Sequence, residues 1–136
     1  MSFSELILNE ESVLQRLLLV SQRQLEIVEQ GNATDLLEFL GQRQKIWMEF
    51  EILESQLAPH KEIPPEQRVW KSFEERQITE ESFTRCKELL EKIMEYDQQS
   101  MVKASLLRDE IDEKLRRIQR TGAAAPAYMK QSKLRR

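Results

Sequence analysis

His60 and Cys86 are the single histidine and the single cysteine of this 136-residue chain, and they limit the chemistry it can hold. A zinc site built on one histidine needs carboxylates for its remaining ligands, a poor match to the usual donor sets. His60 lies between Pro59 and Pro64 and reads as a solvent-exposed loop residue. One cysteine excludes an intramolecular disulfide. Cys86 falls in an apolar helical row, where a small apolar side chain fits. Glu10 with Glu11, Glu74 with Glu75 and Glu80 with Glu81 are adjacent acids. Neighbours on a helix diverge by about 100°, so such pairs do not converge as a general acid and base. Phosphate-cradling glycine loops and the GxSxG nucleophile elbow are absent. So is the Glu-x-x-His motif of di-iron bundles. No cofactor or metal is implied, and the chain reads as a binding protein without enzymatic activity.

The cations of the first half carry one small-molecule alternative. All-helical chorismate mutases line a buried site with arginines and a lysine from long helices, and here Arg16, Arg23, Arg43 and Lys45 are available. They alternate with glutamines, as solvated faces do. The overall charge is −3. Residues 121–136 carry Lys130, Lys133, Arg135 and Arg136 without an acid, so removing their +4 from −3 leaves −7 on the other 120 residues. Four tail cations without interleaved aromatics make a weak nucleic-acid arm, so no nucleic-acid partner is expected. No run approaches 18 apolar residues, and no basic region precedes an apolar run at the N-terminus. A cytoplasmic protein with no membrane span is the expectation.

What must position any functional residue is helical. Phe83, Cys86, Leu90, Ile93, Ala104, Leu107, Ile111, Leu115 and Ile118 recur at steps that place them on one helix face, interrupted by Asp97 and Ser100. Neither proline nor glycine occurs from Thr79 to Thr121. A helix of about forty residues spans about 60 Å and cannot bury such a seam alone. A first helix is expected from Ser4 to Gln30, with Leu14, Leu18, Leu25 and Val28 on one stripe. Gly31 ends it in the left-handed cap conformation, and Asn32 or Thr34 caps the next helix. That second helix is expected over Thr34 to Leu57, ending at Pro59, with Trp47 and Phe50 in its apolar stripe. Gly41 inside it suggests a close helix crossing.

A short helix from Pro65 to Arg76 is expected next, with Val69, Trp70 and Phe73 on one apolar face; Trp70 and Phe73 are expected to plug the bundle end, with a hydrophobic docking surface as the alternative. Thr79 then caps the last helix, which ends at Gly122. The fold class is all-α: an antiparallel helical hairpin plus a long C-terminal helix, a three-helix, coiled-coil-like bundle with a short connecting helix. Residues 1–121 form one domain and 122–136 a flexible basic tail. With the last helix antiparallel to the second, Asp97 falls opposite Arg43, and Ser100 near Leu40, in a register-fixing polar layer. The third helix is longer than its partners, so part of its seam is expected to seek a partner helix or a second copy.

The run LEIVEQGNATDLLEFLGQRQKIWMEFEILESQL resembles the first hairpin of FlgN-type flagellar export chaperones. The shared features are a leucine-rich helix, a short turn, here Gly31-Asn32-Ala33-Thr34-Asp35, and a second helix mixing leucines with polar residues. A long last helix and a tail with a tyrosine after small residues, here Gly122 to Ala127 before Tyr128, extend the likeness over most of the chain. A basic stretch follows Tyr128 in place of the family's glycine. The resemblance implies a non-enzymatic chaperone for type III secretion that holds amphipathic helical segments of hook-associated proteins. By that analogy Leu107, Ile111, Leu115 and Ile118 contact the client, and Tyr128 docks on the export gate. The rival expectation is a structural coiled-coil homodimer or assembly adaptor without an export role.

Overall fold

The computed structural model describes residues 1–120. Three α-helices carry the fold: α1 over Phe3–Gln30, α2 over Ala33–Lys61 and α3 over Phe73–Arg120. A single 3-10 turn, Pro65–Gln67, lies between α2 and α3. There is no strand among the described residues. The chain divides into two compact units, Met1–Ser100 and Met101–Arg136.

Within Met1–Ser100 the helices form an up-down-up bundle. α1 runs parallel to α3: the Ser4 and Thr79 hydroxyls are 2.7 Å apart, Arg85 donates to Glu11 at 2.9 Å, and Gln22 meets Tyr96 at 3.4 Å. α2 runs antiparallel to both. It pairs Glu49 with Arg16, and its Arg43 donates to Ser21 at 3.1 Å. The α1–α2 turn explains the reversal. Gly31 has φ of 69° and donates to the Val28 carbonyl at 3.0 Å, while Asn32 donates to Ile27 at 3.4 Å. This is the Schellman arrangement, which satisfies two orphan carbonyls at the helix end. Asn32 then caps α2, its Oδ1 accepting from the Asp35 amide at 3.1 Å.

The core is centred on the first half of α1. Leu6, Ile7, Val13, Leu14 and Leu17 pack with Phe50, Leu53 and Leu57 of α2 and with Cys86 and Ile93 of α3. Trp47 and Phe50 stack in a tilted pair with ring centroids 5.2 Å apart, Phe50 buried and Trp47 half-buried against the core. Above this cluster sits the polar layer. Arg43 grips Asp97 with two bonds of 2.6 and 2.5 Å and also donates to Gln24 at 2.9 Å. The side chains of Arg43 and Asp97 are 17% and 34% exposed. Ser100 is buried as expected, but its hydroxyl finds no partner among the described residues.

Four local expectations are corrected. Pro59 does not stop α2, which continues to Lys61. A proline removes one backbone donor, and in the last turn that single loss does not end the helix. No helix spans Pro65 to Arg76. Ser72 is the cap that starts α3, its Oγ accepting from the Glu75 amide at 3.0 Å, with Glu74 and Glu75 favoured at the positive end. Thr79 therefore lies inside α3, where it is buried and donates to the Glu75 carbonyl at 2.7 Å. Gly41 makes no close crossing, because a Cβ there would meet nothing within 4 Å.

Two stability changes follow. Gly41→Ala should stabilise the protein by about 0.5–1 kcal/mol in urea denaturation, since helix propensity improves and nothing is displaced. Asp97→Ala should cost about 1–3 kcal/mol, because it strands a guanidinium already drawn into the interface. An Asp97→Ala variant as stable as the parent would remove the pair from the forces that hold the bundle.

Candidate functional site

Two groups of interior titratable side chains come first, because they decide whether the bundle holds a reaction centre. Glu10 of α1 is only 4% exposed. It faces Glu54 of α2 within hydrogen-bonding reach, and Lys61 pairs with Glu54 at 3.0 Å. Burial, then the charge of Glu54 and the hydrogen bond to it, push the Glu10 carboxyl up to about 7, against a smaller opposing pull from Lys61. One Glu10 oxygen, Oε2, has no partner. Cys86 lies beside this pair on α3. Burial, then the charges of Glu10 and Glu11, push its thiol up to about 12. It therefore stays protonated and packs as an apolar residue, the opposite of an activated nucleophile.

The candidate small-molecule cations do not converge. Arg16 and Arg23 are half in solvent and paired with Glu49 and Glu26, and Lys45 is exposed. Of the four only Arg43 turns inward, where it is consumed by the polar layer. No cluster of three metal-ligating side chains occurs among the described residues. No helix there is long and apolar enough to cross a membrane.

The end of the bundle differs from expectation. His60 is not a loop residue: it lies in the last turn of α2 and is half-buried, its ring 5.8 Å from that of Phe3. Trp70 meets Phe3 edge-on at 6.0 Å. Val69 and Phe73 plug nothing, being 95% and 78% exposed. With no helix over 65–76, the three apolar residues share no face. Between Phe3, His60, Arg68 and Trp70 lies a cavity of about 340 Å³. Arg68 stacks on Phe3 at 4.4 Å and has no carboxylate partner among the described residues.

In the unit Met101–Arg136, α3 presents Met101, Val102 and Leu106 at 49–63% exposure. Leu107 and Leu115 are half-buried, and Ile118 is 37% exposed. Ile111 lies on α3, with its side chain outside the described residues, as are Tyr128 and the whole tail. Arg68 and Glu10 were missed by sequence reasoning. Arg68 sits in a non-periodic segment, and Glu10 was read only with Glu11 as a solvated pair. One signal was available for Glu10: it lies three residues from both Ile7 and Val13, on the apolar stripe.

No protein-family model matches the chain, and neither a curated protein nor a solved structure does.

The Glu10 geometry sets a pH dependence. Its folded-state value of about 7 lies above the ordinary 4.5, so the folded state holds an extra proton between those pH values. Stability from this group is therefore complete below about pH 4.5 and is lost as pH rises through 7. Glu10→Gln mimics the protonated form. It should raise stability at pH 8 by about 2–3 kcal/mol and change it far less at pH 5. Urea titrations at the two pH values check this, and an equal effect at both would refute it.

Proposed function

We propose that this chain is a cytoplasmic, non-enzymatic export chaperone of the FlgN type, holding amphipathic helical segments of flagellar hook-associated proteins before secretion. The observation that carries this reading is the apolar surface of α3 beyond Ser100. Met101, Val102 and Leu106 are exposed, and Leu107 and Leu115 keep part of their surface in water. Exposed apolar side chains in helical series suit a client helix that docks by its i, i+3, i+4 anchors. The Gly31-Asn32 turn, which closes α1 against α2, supports the likeness of the hairpin. In this reading Leu107, Ile111, Leu115 and Ile118 contact the client. Tyr128 docks the loaded complex on the export gate, with a large ring and few rotors to freeze.

The purified full chain, incubated with C-terminal segments of hook-associated proteins, should capture one of them. Leu107→Asp and Leu115→Asp should each weaken capture tenfold or more, as loss of a buried leucine worth about 2 kcal/mol requires. Helicity of the Met1–Ser100 bundle should be unchanged by circular dichroism. Tyr128→Ala should leave capture intact and lose binding to the export gate. No capture of any such segment, together with a tight dimer by light scattering, would replace the reading with a self-paired coiled-coil adaptor.

A further inference from the structure

We propose that the end of the bundle is a binding pocket for a carboxylate carried on an apolar group, with Arg68 as its anion-binding residue. The pocket goes beyond the chaperone reading and stands without it.

Arg68 is the exception among its kind. Five of the six arginines in Met1–Ser100 hold a carboxylate: Arg16 with Glu49, Arg23 with Glu26, Arg43 with Asp97, Arg76 with Glu80 and Arg85 with Glu11. Arg68 holds none among the described residues. Its guanidinium lies over the Phe3 ring at 4.4 Å, and its Nη2 reaches the His60 carbonyl only at 3.5 Å. Its Nε is buried without a partner. Leaving a half-buried guanidinium short of acceptors is costly, and its planar fork matches a carboxylate. The cation–π contact with Phe3 holds the guanidinium in place in advance of any ligand.

Space is available where the charge is. The cavity of about 340 Å³ has Phe3, His60, Ile63 and Trp70 among its walls. A second cavity, of about 190 Å³, also touches Phe3, Arg68 and Trp70. Two clefts, each partly open to solvent, meet the same three side chains and leave room for a guest. The size admits an organic group comparable to one aromatic side chain and sits at the small end of ligand pockets. Apolar and aromatic walls take the body of such a ligand. The start of α1, at Ser2 and Phe3, adds the positive end of a 28-residue helix. Glu75 also lines the cavity and opposes an anion. Its presence disfavours a doubly charged phosphate more than a single carboxylate whose apolar body contributes to binding.

Phenylacetate titrated into the full chain tests the pocket, with nitrogen-15 NMR of the Trp70 indole N–H and the Arg68 Nε–H as readout. Saturable shifts at both are expected, and phenylacetamide, identical in shape but uncharged, should bind at least about tenfold more weakly. Arg68→Gln should abolish the preference for the acid over the amide, and Glu75→Gln should tighten phenylacetate several-fold. A peptide ending in phenylalanine, with a free or an amidated C-terminus, identifies the source. Tighter binding of the free-acid peptide than of phenylacetate assigns the pocket to chain ends, and the reverse assigns it to free acids. Absence of saturable shifts, or equal binding of acid and amide, would overturn the proposal. If Arg68→Gln does not fold, the acid-amide comparison on the intact protein decides alone.

Discussion

Arg43 ties all three helices of the bundle to a common register. It stands on α2, donates to Ser21 and Gln24 on α1 and clasps Asp97 on α3. A slip of α3 by one turn would carry Asp97 away by about 5.4 Å and leave Ile93 or Ser100, neither of them an anion, facing the guanidinium. The cost of that mismatch is the cost of an uncompensated, largely buried charge, which exceeds what a single apolar contact recovers. Leucine stripes alone tolerate such slips, because Leu14 facing Leu53 or Leu57 is nearly equivalent in transfer energy. The polar layer thus supplies alignment, and the cluster from Leu6 to Leu17 supplies most of the burial.

A second polar device lies within that cluster, and its sign is opposite. The Arg43–Asp97 pair joins unlike charges, whereas Glu10 and Glu54 bring two acids together, with Lys61 compensating only one of them. The same core is therefore tightened by a pair of opposite charges and strained by one that prefers to keep a proton. Cys86 shares the strained neighbourhood, which holds its thiol inert. The interior chemistry of the bundle is directed at packing, and any recognition must use side chains that packing leaves unspent.

How far the sequence disclosed this follows from the range of each interaction. The apolar periods of α1 and α3 are repeated signals that disclose the helices, and the short Gly31–Asn32 connection discloses that α2 runs antiparallel to α1. Counting back from Phe83 beside Leu57 placed Asp97 opposite Arg43 because a helix has a constant rise, so one correct anchor carries the rest. Single-residue signals were less dependable. Thr79 has the residue type of a cap, but a distant contact claims it: it meets the Ser4 hydroxyl 75 residues away and is consumed in the core. Pro59 looked like a stop, although a proline so near a helix end removes little. Arg68 carried no legible signal at all. Its environment is assembled from Phe3, His60 and Trp70, which come from three separate segments.

In the proposed chaperone reading, the division of labour has an energetic logic. Met1–Ser100 builds its core from residues of its own three helices. The exposed Met101, Val102 and Leu106 of α3 lie outside that core cluster. A client helix covering about 400–500 Å² of apolar surface would gain about 10–12 kcal/mol in transfer energy. Association and side-chain ordering together take back about 4–15 kcal/mol. The difference falls in the range of weak to moderate affinity, which suits holding an aggregation-prone segment and releasing it to a secretion machine. A fully apolar seam sealed by a second copy would bury more and exchange more slowly. Exposed Met101, with its flexible and polarisable thioether, fits the first design, because methionine adapts to more than one partner surface.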